Sequence, residues 1–290
     1  MKEIQQYVYF DVNNISQRIN IQKPYFGFER LWQEGNLLFG DFTAEQPMVY
    51  EAGPVASGEL GRHLAILGSC TAVALHDGPE AYYLATKAQF TRKFASQTPN
   101  QDMYYASATV LNIDKRTLNI SAQAWGKEVI AELNCEYVIL SPALFKRHFK
   151  HYETEYWPTP SESPYQHSIP LHGLEFHDSG IVAYAGPLSA DQCAGHFSLY
   201  PCWPVAIIAQ TSSQVIGEFL RNIYGENVRF YVRNSKLSAD ILVGAGAVLK
   251  FVIEITEDTF PMLESNTRIY RDDEEVVQLI NVLELAFSTT

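Results

Sequence analysis

A short sequence pattern occurs twice in this chain, and it constrains the fold more than any other feature. Residues 40–46 read G-x-x-T-A-E-Q, and residues 186–192 read G-x-x-S-A-D-Q. The second copy begins 186 − 40 = 146 positions after the first, which is close to half of the 290 residues. A repeat at such a spacing is typical of a duplicated structural unit. The pattern therefore predicts two related halves, each of ordinary domain size.

The same order of elements is predicted after each copy. A long apolar segment, typical of a buried helix, runs from Ser57 to His76 and again from Pro204 to Tyr224. Each segment ends in a short turn and is followed by extended, strand-like stretches. The predicted strands are 81–94, 103–113, 117–125 and 129–140 in the first half, and 228–234, 239–243 and 248–256 in the second. The tail 272–287 is predicted to be either a final helix or a closing strand. Each half is thus expected to be an antiparallel sheet wrapped around one helix.

Composition excludes several classes of function. The formal net charge is −12, whereas binding to nucleic-acid phosphates needs an excess of Lys and Arg, so no nucleic-acid partner is expected. No apolar run approaches the roughly 18 residues that span a bilayer, so no membrane segment is expected. The four cysteines form no C-x-x-C pair and show no metal-ligand spacing, so neither a disulfide scaffold nor a metal site is expected. These features predict a cytoplasmic protein.

The most specific motif begins at residue 195. Gly195, His196 and Phe197 form a G-H-F tripeptide, and prolines follow at five and eight residues beyond the histidine. Gln and Gly then stand at eighteen and twenty-one residues beyond it, at positions 214 and 217. This spacing resembles that of the β-hydroxyacyl thioester dehydratases of fatty-acid synthesis. That family has an acidic residue at fourteen residues beyond the histidine, where this chain has Gln210.

The resemblance implies a fold and a division of the chain. The expected class is α+β, a tandem double hotdog in which each half is an antiparallel sheet around a long central helix. The expected divisions are an N-terminal hotdog at 1–145, a linker at 146–172, and a C-terminal hotdog at 173–290 that carries the G-H-F motif. In the family, the active site lies between two hotdogs, with the histidine from one and the acid from the helix of the other.

The resemblance also implies catalytic roles. Dehydration of a 3-hydroxyacyl thioester needs a base for the proton beside the carbonyl and an acid for the departing hydroxyl. His196 is the expected base. Glu59 is the expected acid, because Glu59 and His63 form an E-x-x-x-H pattern on the first helix that resembles the D-x-x-x-Q/H signature of fused double-hotdog dehydratases. Residues four apart share a helix face.

The remaining substrate-facing residues follow from the start of the second helix. The backbone amides of Val205 and Ala206 are expected to polarise the thioester carbonyl. Gln210, Gln214 and His63 complete the predicted set, although each is also compatible with a structural role inside the core. A strict offset of 146 pairs Gln210 with position 64 and His196 with position 50, which holds a tyrosine. One working site and one degenerate site are therefore expected.

Two other functions fit the same residues. Hotdog thioesterases often use a lone carboxylate on the central helix, and Glu59 could serve in that way without His196. The missing acid at Gln210 favours a non-catalytic acyl-binding protein instead, and double-bond isomerisation is a further variant. In each case the resemblance implies an acyl-CoA or acyl carrier protein partner and no cofactor beyond the CoA or phosphopantetheine that carries the acyl group. The expected assembly is a monomeric double hotdog or a dimer of it.

Overall fold

The first half of the chain forms an antiparallel sheet around one long helix in a computed structural model, which describes residues 7–93 and 102–287. The strands of this half are β1 (Val8–Phe10), β2 (Leu31–Glu34), β3 (Leu37–Phe42), β4 (Tyr82–Arg92), β5 (Tyr104–Ile113), β6 (Thr117–Trp125) and β7 (Val129–Leu140). Its helices are α1 (Val12–Arg18), α2 (Ser57–Leu75) and α3 (Pro142–Phe149). The sheet curves around α2, which contacts β3, β5, β6 and β7.

The second half repeats this arrangement. Its strands are β8 (Leu171–His177), β9 (Gly180–Ala185), β10 (Val228–Ala239), β11 (Leu249–Thr259), β12 (Met262–Arg271) and β13 (Glu274–Phe287). Its long helix is α4 (Val205–Tyr224), which packs on β9, β10 and β11. Among the described residues, no helix is both long enough and apolar enough to cross a membrane.

Burial of α2 on almost every side explains its small residues. Most of its residues are buried, and Gly68 lies where the helix meets the sheet. A Cβ atom on Gly68 would lie 2.6 Å from Ile120 and 2.8 Å from the hydroxyl of Tyr137. Gly68 therefore allows helix and sheet to touch, here through side chains of β6 and β7.

The two halves join through one edge strand of each, β4 and β10. The order of strands across the sheet is β1-β2-β3-β5-β6-β7-β4-β10-β13-β12-β11-β9-β8. The junction is the antiparallel pairing of β4 with β10, which runs from Thr91 opposite Asn234 to Lys87 opposite Ser238. One continuous sheet therefore passes under both long helices. The helices meet above the junction near their first turns, where a Cβ on Gly58 would lie 3.1 Å from the carbonyl oxygen of Ala206.

The second half differs from the sequence expectation in its strands. The predicted strand at 239–243 is wrong, because β10 ends at Ala239 and an irregular loop follows. β12 was not predicted, because Ser265 and Thr267 occupy two of its inward positions and break the apolar alternation that identifies strands. The tail, predicted as a helix or a strand, is the strand β13.

The duplicated pattern does not occupy equivalent places in the two halves. Gly40 lies within β3, whereas Gly186 lies just beyond the end of β9. The long helices begin 205 − 57 = 148 residues apart rather than 146. Counted from the helix starts, Gln210 therefore corresponds to Arg62. The predicted limits of the two domains and of the linker at 146–172 stay a prediction.

Candidate active site

A central cavity of about 180 Å³ lies between the two long helices and the strands at the junction. Its roof is one face of α2 and one face of α4, and its floor comes from β4, β7, β10 and β13. Most of the lining is apolar, and the wall of α2 includes Gly58, Gly61 and Ala65, whose small size leaves the space open. Largely apolar cavities of this kind are typical binding sites for small molecules.

The start of α4 opens into this cavity. The helix begins after Pro204 without a side-chain cap, and Val205 and Ala206 line the cavity. The amide of Ile207 donates to the carbonyl oxygen of Pro204 at 2.9 Å, whereas the amides of Val205 and Ala206 have no acceptor within residues 7–93 and 102–287. The N-terminus of a helix carries partial positive charge and unsatisfied N–H groups. This end of α4 can therefore stabilise a carbonyl oxygen that gains negative charge.

The start of α2 binds a carboxylate of the protein. Glu51 accepts a hydrogen bond from the backbone amide of Ser57 at 2.8 Å and another from the Ser57 hydroxyl at 2.7 Å. Glu51 also pairs with Arg92 at 3.5 Å, and both side chains are buried. The partial positive charge at this helix start is thus already bound by a carboxylate of the protein. Ser57 itself still lines the cavity.

His196 lies at the cavity in a tightly turned loop. Gly195 has a φ of +81°, and a Cβ there would lie 2.2 Å from the carbonyl oxygen of Gln22, so this position requires glycine. The imidazole packs against Tyr25 at 4.9 Å between ring centroids, and its Nδ1 lies 3.4 Å from Sγ of Cys202. Burial lowers the pKa of His196 to about 3, opposed by a contact with the backbone of Cys202. The ring is therefore neutral at neutral pH and a weak base.

Glu59 does not lie at this cavity. Its carboxylate is fully buried and accepts hydrogen bonds from the backbone amides of Glu45 at 2.8 Å and Gln46 at 3.1 Å. It also lies 3.6 Å from Nε2 of His63. Burial raises the pKa of Glu59, but the His63 hydrogen bond and charge, with Arg62, outweigh burial and lower it. The structure therefore does not bring Glu59 and His196 together at the cavity.

His63 has a packed position beside Glu59. Its ring stacks on Phe42 at 4.3 Å between centroids and meets Phe28 at 5.6 Å. Burial, together with the charge of Arg62, lowers its pKa against the opposing effect of Glu59. His63 is absent from the lining of the central cavity, so its geometry is that of a buried partner of Glu59.

Gln210 and Gln214 face a second, much smaller cavity. This cavity lies between α4 and the segment that precedes β8, and Gln46 and Gln192 also line it. The side-chain amide of Gln214 donates to the carbonyl oxygen of Ile169 at 3.3 Å. Neither residue lines the central cavity, and the side-chain oxygens of both are buried without a hydrogen-bond partner in the described chain.

Two charged residues at the central cavity were not identified from the sequence. Asp240 follows the end of β10, is exposed, and is the one carboxylate among the cavity-lining residues of the described chain. Because positions 239–243 were predicted to form a strand, Asp240 was not identified as a candidate site residue. Arg62 is buried, binds Glu45 through Nη2 at 2.5 Å, and lies over the rings of Tyr25 and Tyr165. Arg62 corresponds to Gln210 in position only when α2 and α4 are aligned from their observed first residues.

A comparison with solved structures identifies the fold. The chain resembles an acyl-CoA thioesterase II from Mycobacterium marinum, with a TM-score of 0.54 and 9% identity over 95% of this chain and 98% of the other. It resembles a 12:0-ACP thioesterase from Umbellularia californica, with a TM-score of 0.52 and 9% identity over 91% and 100%. A third structure, a protein of unknown function with a hot dog fold from Alicyclobacillus acidocaldarius, gives a TM-score of 0.53 and 11% identity over 93% and 100%. No protein-family model and no curated protein matches the sequence.

These findings confirm the predicted fold and overturn the predicted reaction. The prediction of 3-hydroxyacyl dehydration is wrong, because the solved structures with an assigned activity named above are thioesterases. The geometry also differs from the predicted catalytic pair, since Glu59, the expected acid, does not line the cavity at which His196 lies. The site places instead a free helix start, a carboxylate and a neutral imidazole around one apolar cavity. The chain has the double hotdog fold.

Proposed function

We propose that this chain hydrolyses acyl thioesters carried on CoA or on an acyl carrier protein. The observation that carries the proposal is that Val205 and Ala206, whose amides have no acceptor in the described chain, line the same apolar cavity as Asp240. Thioester hydrolysis needs a site for the carbonyl oxygen, a group that activates water, and room for the acyl chain. The double hotdog fold, shared with the thioesterases named above, supports the same conclusion.

The first step is attack of water on the thioester carbonyl carbon. The carbonyl oxygen accepts hydrogen bonds from the amides of Val205 and Ala206, which stabilise the negative charge that develops on it. Asp240 accepts a proton from the attacking water as the new C–O bond forms. When the tetrahedral intermediate collapses, the C–S bond breaks and the leaving sulfur takes the proton held by Asp240, which regenerates the carboxylate. The products are a carboxylic acid and a free thiol.

His196 and Glu59 have supporting roles in this proposal. A neutral imidazole offers one donor and one acceptor, so His196 is suited to orienting the water or the thioester rather than to removing protons. The thioesterase hypothesis from the sequence gave the carboxylate role to Glu59. We assign that role to Asp240, because the oxygens of Glu59 already bind the amides of Glu45 and Gln46.

The test is thiol release from acyl-CoA, followed with a chromogenic thiol reagent. The wild-type protein is expected to release CoA, and Asp240→Asn is expected to lower kcat by about 100-fold, a typical size for loss of a general base. The matched control is Asp273→Asn, which changes an exposed carboxylate in the turn between β12 and β13, away from the cavity. It is expected to keep wild-type activity.

Two results would contradict the proposal. Full activity of Asp240→Asn would remove Asp240 from the reaction while leaving hydrolysis in place. Failure of the wild-type protein to release thiol from both acyl-CoA and acyl carrier protein substrates, despite measurable binding, would replace hydrolysis with non-catalytic acyl binding.

A further inference from the structure

The floor of the central cavity differs in polarity between the two halves. Adjacent strands place their inward residues in rows, and one row crosses the junction from Leu133 on β7 through Phe90 and Ser235 to Asn281 on β13. All four residues line the cavity. The row is therefore apolar under α2 and polar under α4.

The polar part of this row has hydrogen-bonding groups that the protein leaves unused. The hydroxyls of Ser213 on α4 and Ser235 on β10 have no partner in the described chain. The side-chain amide nitrogen of Asn281 lies 3.4 Å from the hydroxyl of Ser265, and its carbonyl oxygen has no partner among the same residues. Ser213 and Asn281 are buried, at 7% and 4% exposed. None of these three oxygens is among the fully buried unpaired atoms, so they remain accessible at the cavity that their residues line, where a ligand or water can bind them.

A second layer of polar side chains supports this end of the cavity. The hydroxyl of Ser212 on α4 lies 3.3 Å from that of Thr267 on β12, and both Thr267 and Ser265 are fully buried. Under α2, the buried residues of β6 are all apolar. The cavity-lining hydroxyls of Ser69 and Tyr137 there already donate to the carbonyl oxygens of Ile66 at 2.8 Å and Ala65 at 2.7 Å.

The distance from the reacting end can be measured along two elements. Ser213 lies eight residues beyond Val205 on α4, which is about 12 Å at the rise of an α-helix. Ser235 lies five residues before Asp240 on and after β10, which is about 16 Å at the rise of a strand. Since α4 and β10 run in opposite directions and are joined by a short turn, both measurements start at the same end of the cavity.

We propose that Ser213, Ser235 and Asn281 bind a hydroxyl group within the acyl chain, so that the preferred substrate is a thioester hydroxylated well away from its carbonyl. The inference rests on the proposed hydrolysis. A hydroxyl both donates and accepts, which matches two serine hydroxyls and an amide oxygen. A distal carboxylate does not match, because the one basic side chain with a full charge that lines the described cavity, Arg62, is on α2 and not beside Ser213, Ser235 and Asn281.

The test compares hexadecanoyl-CoA with a series of its monohydroxy analogues in which the hydroxyl moves along the chain. The wild-type protein is expected to favour a mid-chain hydroxyl about tenfold in kcat/KM, the effect of roughly one net hydrogen bond. Asn281→Leu keeps the branching and the number of heavy atoms of the side chain, removes its polar atoms and is expected to reverse the preference. Ser213→Ala, a milder change, is expected to reduce it. Ser69→Ala, at the corresponding end under α2, is the matched control and is expected to leave it unchanged.

A binding measurement separates this inference from the proposed hydrolysis. Calorimetry with free hexadecanoic acid and its hydroxy analogues does not depend on turnover. Tighter binding of a mid-chain hydroxy acid, lost in Asn281→Leu, would support the inference even if no thioester were hydrolysed. Equal binding and equal turnover of the plain and hydroxylated chains by the wild-type protein would overturn it while leaving hydrolysis intact, and would mean that only water occupies the polar end.

Discussion

The two long helices begin next to the same cavity, but they differ in whether the protein supplies a hydrogen-bond acceptor for the amides of the first turn. At α2, the Glu51 carboxylate binds the backbone and hydroxyl of Ser57 and is itself paired with Arg92. At α4, the first two amides have no acceptor in the described chain, and their residues, Val205 and Ala206, line the cavity. Both helix starts have the same intrinsic affinity for negative charge. The difference shows how one fold, used twice, can bind its own carboxylate at one end and keep the other available for a ligand.

The largest expected effect comes from removing the carboxylate that binds the start of α2. Glu51→Ala removes the buried partner of Arg92 and the acceptor for Ser57, and it is expected to lower the free energy of unfolding by about 3–5 kcal/mol. Urea denaturation followed by circular dichroism measures this change.

The control for this change is an exposed ion pair of the same sheet. Glu132→Ala breaks the ion pair with Lys93, in which Nζ and Oε2 are 2.6 Å apart and both side chains are partly exposed. The free energy of unfolding is therefore expected to fall by less than about 1 kcal/mol. If Glu51→Ala cost no more than this control, the start of α2 would not be held by its carboxylate, and the contrast with α4 would fail.

The next largest effect comes from removing an amide donor at the start of α4. Val205→Pro removes one free amide at the first helical position, where proline is tolerated, and Pro204 already has the extended conformation that precedes proline. The expected result is a fall in kcat of about 100- to 1,000-fold, the range for loss of one oxyanion donor. Steady-state hydrolysis of acyl-CoA measures it.

The matching substitution at α2 is Ser57→Pro. It deletes the amide and hydroxyl that bind Glu51, so it is expected to reduce stability while retaining most of kcat. Equal losses of kcat in Val205→Pro and Ser57→Pro would show that the two helix starts serve the reaction alike.

The smallest expected effect concerns pH, and it arises on the α4 side. His196 has a pKa of about 3 when folded and about 6.5 when unfolded, so below pH 6.5 the unfolded state binds a proton that the native state does not. Stability from this group is complete above pH 6.5 and is lost as the pH falls, by about 2 kcal/mol at pH 5. Chemical denaturation at a series of pH values measures the slope.

A histidine variant isolates that contribution. In His196→Asn the slope between pH 7 and pH 5 is expected to decrease, and a smaller slope of the same sign is expected to persist because burial also lowers the pKa of His63. The residue at the 146-residue offset, Tyr50, adds nothing in this range, since burial and its bond with Glu218 raise its pKa to about 12. An unchanged slope in His196→Asn would place the pH sensitivity elsewhere.

The fold could be predicted because its signals are local. The boundaries of α2 and α4 follow from long apolar segments that end in turns, and the structure reproduces both within about one residue of the predicted limits. β12 could not be predicted in this way, because Ser265 and Thr267 face inward and bind other polar groups of the second half. The seven-residue repeat led to the correct fold even though its copies differ in structural position.

The site could be predicted only in part, because it depends on contacts between distant segments. The G-H-F motif located His196 and the helix start at Val205, and both lie at the cavity. No local pattern shows that the oxygens of Glu59 bind the amides of residues 45 and 46, or that Asp240 leaves the sheet next to α4. Those facts depend on loop conformation, which sequence periodicity does not encode.

The pairing of β4 with β10 has a consequence for how such a protein can change through evolution. In a symmetric pair of single hotdogs, every substitution appears twice, once on each side of the two-fold axis. Here the same junction lies within one chain, so a substitution alters only one wall of the cavity. A polar row under α4 and an apolar row under α2 can therefore coexist, whereas a symmetric dimer would have to accept both changes on both sides at once.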